Sequence, residues 1–227
     1  MMELSTLPRD RLLAEMSLWS ADLGRLTDDI ARMEPFTDIF HIDVADGHFS
    51  PAMLFFPDLV AVTRKATTKP LHVHLMVDDD ILLAQVGQFA DMGADLISVH
   101  VENEPIEEAL TEIERRGLAA GLVAQLHTPV ANVTPYLDRI AMFTLLGTRM
   151  GVKGQRLDAS APDRLREARR VIGGRPVILA ADGGIREDTV PHLRAAGVET
   201  IVMGSLAFGA PDLRARMDWV HAQALDR

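Results

Sequence analysis

Short runs of apolar residues recur along the chain, each followed by a stretch in which apolar positions return every three or four residues. The runs at 13–18, 38–44, 71–76, 96–101, 119–125, 142–146, 177–181 and 200–203 are rich in Ile, Val and Leu and do not strictly alternate with polar residues. Strands buried on both faces read this way, because neither face is left to water. Helical spacing lies between them. In 80–92, Ile81, Leu82, Gln85, Val86, Phe89 and Met92 recur at three- and four-residue steps. Segments 104–116 and 162–172 repeat the pattern, and Pro162 suits a first helical turn, where its missing N–H has no partner to lose. Gly93, Gly117 and Gly197 stand where helices should stop, each shortly before a strand. Eight such units predict an α/β fold, a single (β/α)8 TIM barrel over residues 1–227. The alternative, an open doubly wound sheet, usually carries a glycine-rich dinucleotide loop after its first strand, and none follows here.

Composition narrows the function classes. With 227 residues, 48% hydrophobic and 25% charged, the chain has enough apolar material for one large domain. A net charge of -10 provides no overall basic field for nucleic acid or an anionic membrane. A small anionic substrate would need a local cationic or amide-lined pocket. There are no cysteines, so disulfides and thiolate chemistry are excluded, which fits a reducing cytoplasm. Residues 1–11 mix charges with isolated leucines and lack the apolar core of a secretory signal. No run of about 18 apolar residues predicts a membrane span.

Polar residues collect where strands end, which is where barrel enzymes keep their chemistry. His41 and Asp43 are two apart near the end of the second strand and so share a face. His74 lies late in the third strand, and Asp182 closes the seventh. Two imidazoles and two carboxylates suit one divalent metal: zinc, iron or manganese. Each alone could instead cap a helix or bond the backbone. The His41/Asp43 pair is harder to dismiss, because an unpaired buried charge costs roughly several kcal/mol. A second constellation comprises Gly151, Lys153, Gly154 and Gln155 after the sixth strand, Gly183 and Gly184 after the seventh, and Gly204 and Ser205 after the eighth. Glycines let backbone amides approach an anion closely, and loops after strands seven and eight are a phosphate position in barrels. Tight turning alone would also explain them.

Taken in order, these motifs resemble the ribulose-phosphate 3-epimerase family over nearly the whole chain. The matching segments are Ser17-Leu18-Trp19-Ser20-Ala21-Asp22, His41-Ile42-Asp43-Val44-Ala45-Asp46-Gly47-His48-Phe49 with Pro51, Val73-His74-Leu75-Met76-Val77, Ser98-Val99-His100-Val101-Glu102, Thr128-Pro129, Asp182-Gly183-Gly184-Ile185 and Gly204-Ser205-Leu206-Ala207-Phe208. The resemblance implies a ribulose-phosphate-binding barrel and a metal-dependent epimerase of a ketose phosphate. It places His41, Asp43, His74 and Asp182 on the metal ligands. It also makes Asp43 and Asp182 the two proton carriers, on opposite faces of an enediolate that the metal stabilises. Ser17 and His74 would touch substrate. Met76 would wall the reacting carbons or simply fill core. His100 reads as support for a ligand or, slightly preferred, as a core histidine. The resemblance further implies a homo-oligomer, at least a dimer.

Departures from the family pattern surround this centre. Arg149 and Lys153 are added cations in the loop after the sixth strand, able to pair with a phosphate or simply to be solvated. Ala45 and Leu146 stand where the family has methionine, and 52–56 differs from its Asn-Leu-Thr-Phe-Gly. An Ala45 that opens space beside the carbon chain would change the preferred sugar while the reaction type is kept. The rival readings are a sugar-phosphate isomerase on the same barrel and a non-catalytic metal-dependent sugar-phosphate sensor. The Asp-x-Lys-x-x-Asp pattern of related decarboxylases is missing, since Val44, Ala45 and Asp46 leave no lysine there.

Overall fold

Eight parallel strands close on themselves because each is hydrogen-bonded to two others. The computed structural model describes residues 6–8 and 10–223. Part of the 1–11 segment and the last four residues of the 1–227 domain span therefore lie outside the described residues. The barrel strands are β1 (Leu13–Ser17), β2 (Ile39–Asp46), β4 (Leu71–Met76), β5 (Leu96–His100), β6 (Ala119–Ala124), β7 (Met142–Leu146), β8 (Ile178–Asp182) and β9 (Thr200–Met203). They run in the order β1-β9-β8-β7-β6-β5-β4-β2, and β1 pairs back onto β2 to close the ring. The expected barrel is thus the observed one. β2 runs two residues past its predicted end, because Ala45 and Asp46 pair antiparallel with a two-residue strand, β3 (Met53–Leu54).

Helices α1 (Leu26–Met33), α2 (Pro57–Ala66), α3 (Asp79–Asp91), α4 (Ile106–Arg115), α5 (Ala161–Ile172) and α6 (Val190–Ala195) form crossovers, and α7 (Ser205–Phe208) and α8 (Leu213–His221) follow β9. Gly93, Gly117 and Gly197 all have positive φ (102°, 72° and 96°), the conformation their stop positions require. The β6–β7 crossover is a 3-10 segment, Val130–Tyr136, with Pro135 inside it. A proline there removes a backbone donor and disfavours a regular α-helix.

The alternation of side chains divides the interior. Phe40, Val73, Leu75, Phe89, Leu110, Phe143 and Leu179 belong to the large core between barrel and helices. Ile39, Leu96, Met142, Ile178 and Ala180, from the early positions of four strands, form a separate small apolar floor. Counting by two up each strand reaches a polar layer, in which Glu15, His41, His72 and Ser98 are all fully buried. Gly121 of β6 makes room for it: a Cβ there would come within 2.1 Å of the Ser98 hydroxyl oxygen. Gly121→Ala is therefore expected to cost about 1–3 kcal/mol of stability through overpacking, measured by urea unfolding; an unchanged midpoint would show that the layer is slack.

Candidate active site

Strand register brings the sequence-predicted groups to one end of the barrel. Ser17 pairs in register with His41, Asp43 with His74, and Leu146 with Asp182. One ligand atom from each of His41, Asp43, His74 and Asp182 lies within 4.8 Å of the others. His41 Nε2 is 3.0 Å and His74 Nδ1 is 3.3 Å from Asp43 Oδ1. His74 Nδ1 is 3.9 Å from Asp182 Oδ2. The Ser17 hydroxyl donates to Asp43 Oδ2 at 3.0 Å, so this serine orients a carboxylate as well as facing the cavity.

The electrostatics of the two aspartates diverge. Burial alone would raise the Asp43 carboxyl, but His41 and His74 overcome it and hold Asp43 well below the usual carboxylate range. Burial together with the Asp43 charge pushes Asp182 up to about 6. Burial opposes protonation of His41, yet Asp43 and Glu15 on its two sides raise it well above an ordinary imidazole. A proton held that strongly between carboxylates marks a position where a cation can take its place.

Behind the cluster stand residues that sequence reasoning undervalued. His100 Nδ1 lies 3.0 Å from Glu102, and its Nε2 lies 2.9 Å from His74 Nε2. Burial lowers His100 to about 4, so it is neutral at pH 7. Its Nδ1–H then donates to Glu102 and its Nε2 accepts the Nε2–H of His74, so that His74 Nδ1 is held facing Asp43 and Asp182. His100 is therefore more than the core histidine preferred from sequence. The Ser98-Val99-His100-Val101-Glu102 motif already held the signal, since two polar residues two apart share a face. Glu15 gave no comparable signal.

Above the cluster opens a cavity of about 340 Å³. Ser17, Asp43, His74, Met76, Asp182 and Leu146 line its base, and Gly151, Lys153, Gly154, Gln155, Gly183, Gly184, Gly204 and Ser205 its wall. His41 lies beneath, fully buried. Gly151, Gly154, Gly183 and Gly184 have φ between 70° and 86°, a conformation that few other residues adopt. Two predicted contacts are engaged within the protein. Gln155 donates its amide to the carbonyls of Arg149 and Val152 at 2.9 and 2.8 Å. Lys153 donates to the Trp19 carbonyl at 2.5 Å and sits 5.4 Å from the Trp19 ring centroid. Arg149 and Arg186 also line the cavity, so a cationic rim exists on an acidic protein. Arg186 was missed, although it follows Gly183-Gly184 by two residues.

Two of the departures do not line the cavity. Ala45 is buried beside Leu54, its partner in the hairpin, and does not line the cavity. Phe56 is 60% exposed and fills no space at the site.

Residues 13–208 match the model of the ribulose-phosphate 3 epimerase family. Ribulose-phosphate 3-epimerase 1 of Cupriavidus necator is 35% identical over 204 residues, covering 86% of this chain and 84% of that protein. Ribulose-phosphate 3-epimerase of Bacillus subtilis is 33% identical over 201 residues (86% and 92%), and that of Escherichia coli K12 is 32% identical over 212 (91% and 93%). Among solved structures, 3-hexulose-6-phosphate synthase from Salmonella typhimurium superposes with a TM-score of 0.72 at 16% identity, covering 92% of this chain and 97% of that one. At that identity the likeness speaks for the fold alone.

The donor set fits a divalent cation: a buried and a half-buried carboxylate converge with two imidazole nitrogens, and Glu15 holds His41 Nδ1, His100 holds His74 Nε2 and Ser17 holds Asp43 Oδ2 from behind. Zinc at about 100 times its Kd should then stabilise the metal-free protein by about 2.7 kcal/mol, roughly 5–10 °C in Tm. Asp43→Asn should abolish the shift in a thermal scan. An equal shift in that variant would place the cation elsewhere.

Proposed function

Because this chain belongs to the ribulose-phosphate 3-epimerase family, we propose that it inverts the carbon beside the ketone of a phosphorylated ketose, with Asp43 and Asp182 as its two proton carriers. The observation that carries this reading is the pair itself: two carboxylates facing one cavity, with their proton affinities driven in opposite directions. Inversion requires one group to remove a proton from one face and another to return a proton to the opposite face. A sensor would bind sugar phosphate without needing such a pair.

The remaining residues take supporting roles. His41, Asp43, His74 and Asp182 would hold the divalent cation, which supplies Lewis-acid stabilisation of charge developing on the ketone oxygen. Ser17 orients Asp43 through its hydroxyl. Met76 and Leu146 present an apolar wall at the cavity base. The glycine loops and the rim of Arg149, Lys153 and Arg186 suit the phosphate. Of the departures, Leu146 and the rim cations line the cavity directly and are the first ground for a changed sugar. The names of the relatives make D-ribulose 5-phosphate the first substrate to assay, beside tetrulose and hexulose phosphates.

In deuterated water, turnover should place one deuteron at the carbon beside the ketone and yield the epimer, read by proton NMR. Asp182→Asn should lower kcat by about 10²–10⁴-fold; an aldose product would instead make the protein an isomerase that moves the carbonyl. Lys153→Ala should raise KM about 10-fold at low salt with kcat within about two-fold, the scale of one charge-assisted hydrogen bond. A constant KM would leave Lys153 as only a tether to Trp19.

A further inference from the structure

The deepest polar group in the barrel is one that the proposed chemistry does not use. Glu15 of β1 is fully buried and does not line the cavity, so it cannot touch a substrate there. Its Oε1 lies 2.7 Å from His41 Nδ1 and also accepts from His72 Nδ1. His72 Nε2 is anchored 2.6 Å from the Ser98 hydroxyl, in the space that Gly121 leaves open. The His41 and His72 rings meet edge to face, with centroids 4.8 Å apart. A carboxylate moved from water to such a place costs several kcal/mol, of the order found for buried ions. An apolar side chain would fill the position without that cost, so the packing of the floor gives no reason for a glutamate.

The reason lies in His41. An imidazole that ligates through Nε2 must be held at Nδ1, or its ring can turn and offer a carbon in place of a nitrogen. We propose that Glu15 is a positioning residue: it grips the Nδ1–H of His41 and thereby keeps Nε2 directed at the cation position formed with Asp43, His74 and Asp182. His72, braced by Ser98, keeps the Glu15 carboxylate from swinging away. Three adjacent strands, β1, β2 and β4, thus lock one ring, as Glu102 and His100 lock His74 from the other side. The inference rests on the cation reading of the site above. Glu15, His41 and His72 could in principle form a second metal group, since their ligand atoms lie within 4.8 Å of one another. The single Glu15 oxygen already bonds both imidazoles, which argues for a hydrogen-bonded brace.

The test compares wild type with Glu15→Gln and Glu15→Asp. The latter keeps the charge but draws it back by one methylene, so it covers a failure of Glu15→Gln to fold. Zinc alone is titrated into metal-free protein against a chromophoric chelator, and the His41 Nδ1–H resonance is followed in ¹⁵N-labelled protein. Both variants should lose about 10–100-fold in zinc affinity, the range for such supporting residues. Their His41 Nδ1–H should move upfield and exchange faster, while unfolding stays cooperative. Zinc affinity within about two-fold of wild type with an unmoved resonance would overturn the proposal. So would two zinc ions per wild-type chain with one lost on substitution, which would make Glu15 a ligand. If wild type takes up no zinc, the cation reading fails on its own, and the resonance still decides whether Glu15 holds the ring.

Discussion

A carboxylate inside a closed barrel must be matched by a proton, a cation or a hydrogen-bond donor, and the centre of this protein is arranged around that requirement. Glu15 is matched by His41 and His72, Asp43 by His41, His74 and Ser17, and Glu102 by His100. Asp182 is the least well matched: its partner His74 is 3.9 Å away, and burial together with the Asp43 charge raises its proton affinity. Strength of pairing therefore grades the acids. The well-paired ones are held ionised and still, and the poorly paired one is left able to exchange a proton or to meet a cation.

The barrel makes this affordable by separating its tasks along the axis. At the early ends of the strands, Ile39, Leu96, Met142 and Ile178 close the floor with apolar contacts. One step up, Glu15, His41, His72 and Ser98 form a hydrogen-bonded polar layer, from which His41 Nε2 reaches Asp43. One step further, Asp43, His74 and Asp182 face the cavity. Each strand contributes to successive layers at a two-residue spacing, so the same alternation that buries the core also stacks support beneath chemistry. The helices and their apolar contacts stay outside this column, which lets loops and rim vary without disturbing it.

The rim shows how local loops are held by distant chain. Lys153 reaches the Trp19 carbonyl from 134 residues away, and Arg186 donates to the carbonyls of Gly154 and Gln155. The glycine wall is thus fastened to the turn after β1 on one side and to the β8 loop on the other. Lys153 and Arg186 would meet an anion at this rim by sharing or leaving those contacts, which would couple its seating to the order of the loop.

Period and composition were enough to determine the eight strands within a residue or two, because burial on both faces demands an unbroken apolar run. They also determined that His41 and Asp43 share a face, because the two-residue period is a local property. The helix stops at Gly93, Gly117 and Gly197 were equally local, being matters of φ. The short hairpin from Ala45 to Leu54 was not legible, since two residues of pairing leave no pattern. Nor was the grip of Glu15 on His72, which spans 57 residues. A lone glutamate in an apolar run carries no mark of its partner, and only the register of neighbouring strands brings the two together. What the chain determined by itself was which elements form and where polar groups break them. What only the tertiary structure decided was which buried charge meets which, because closure of the barrel sets those distances and no local preference encodes them.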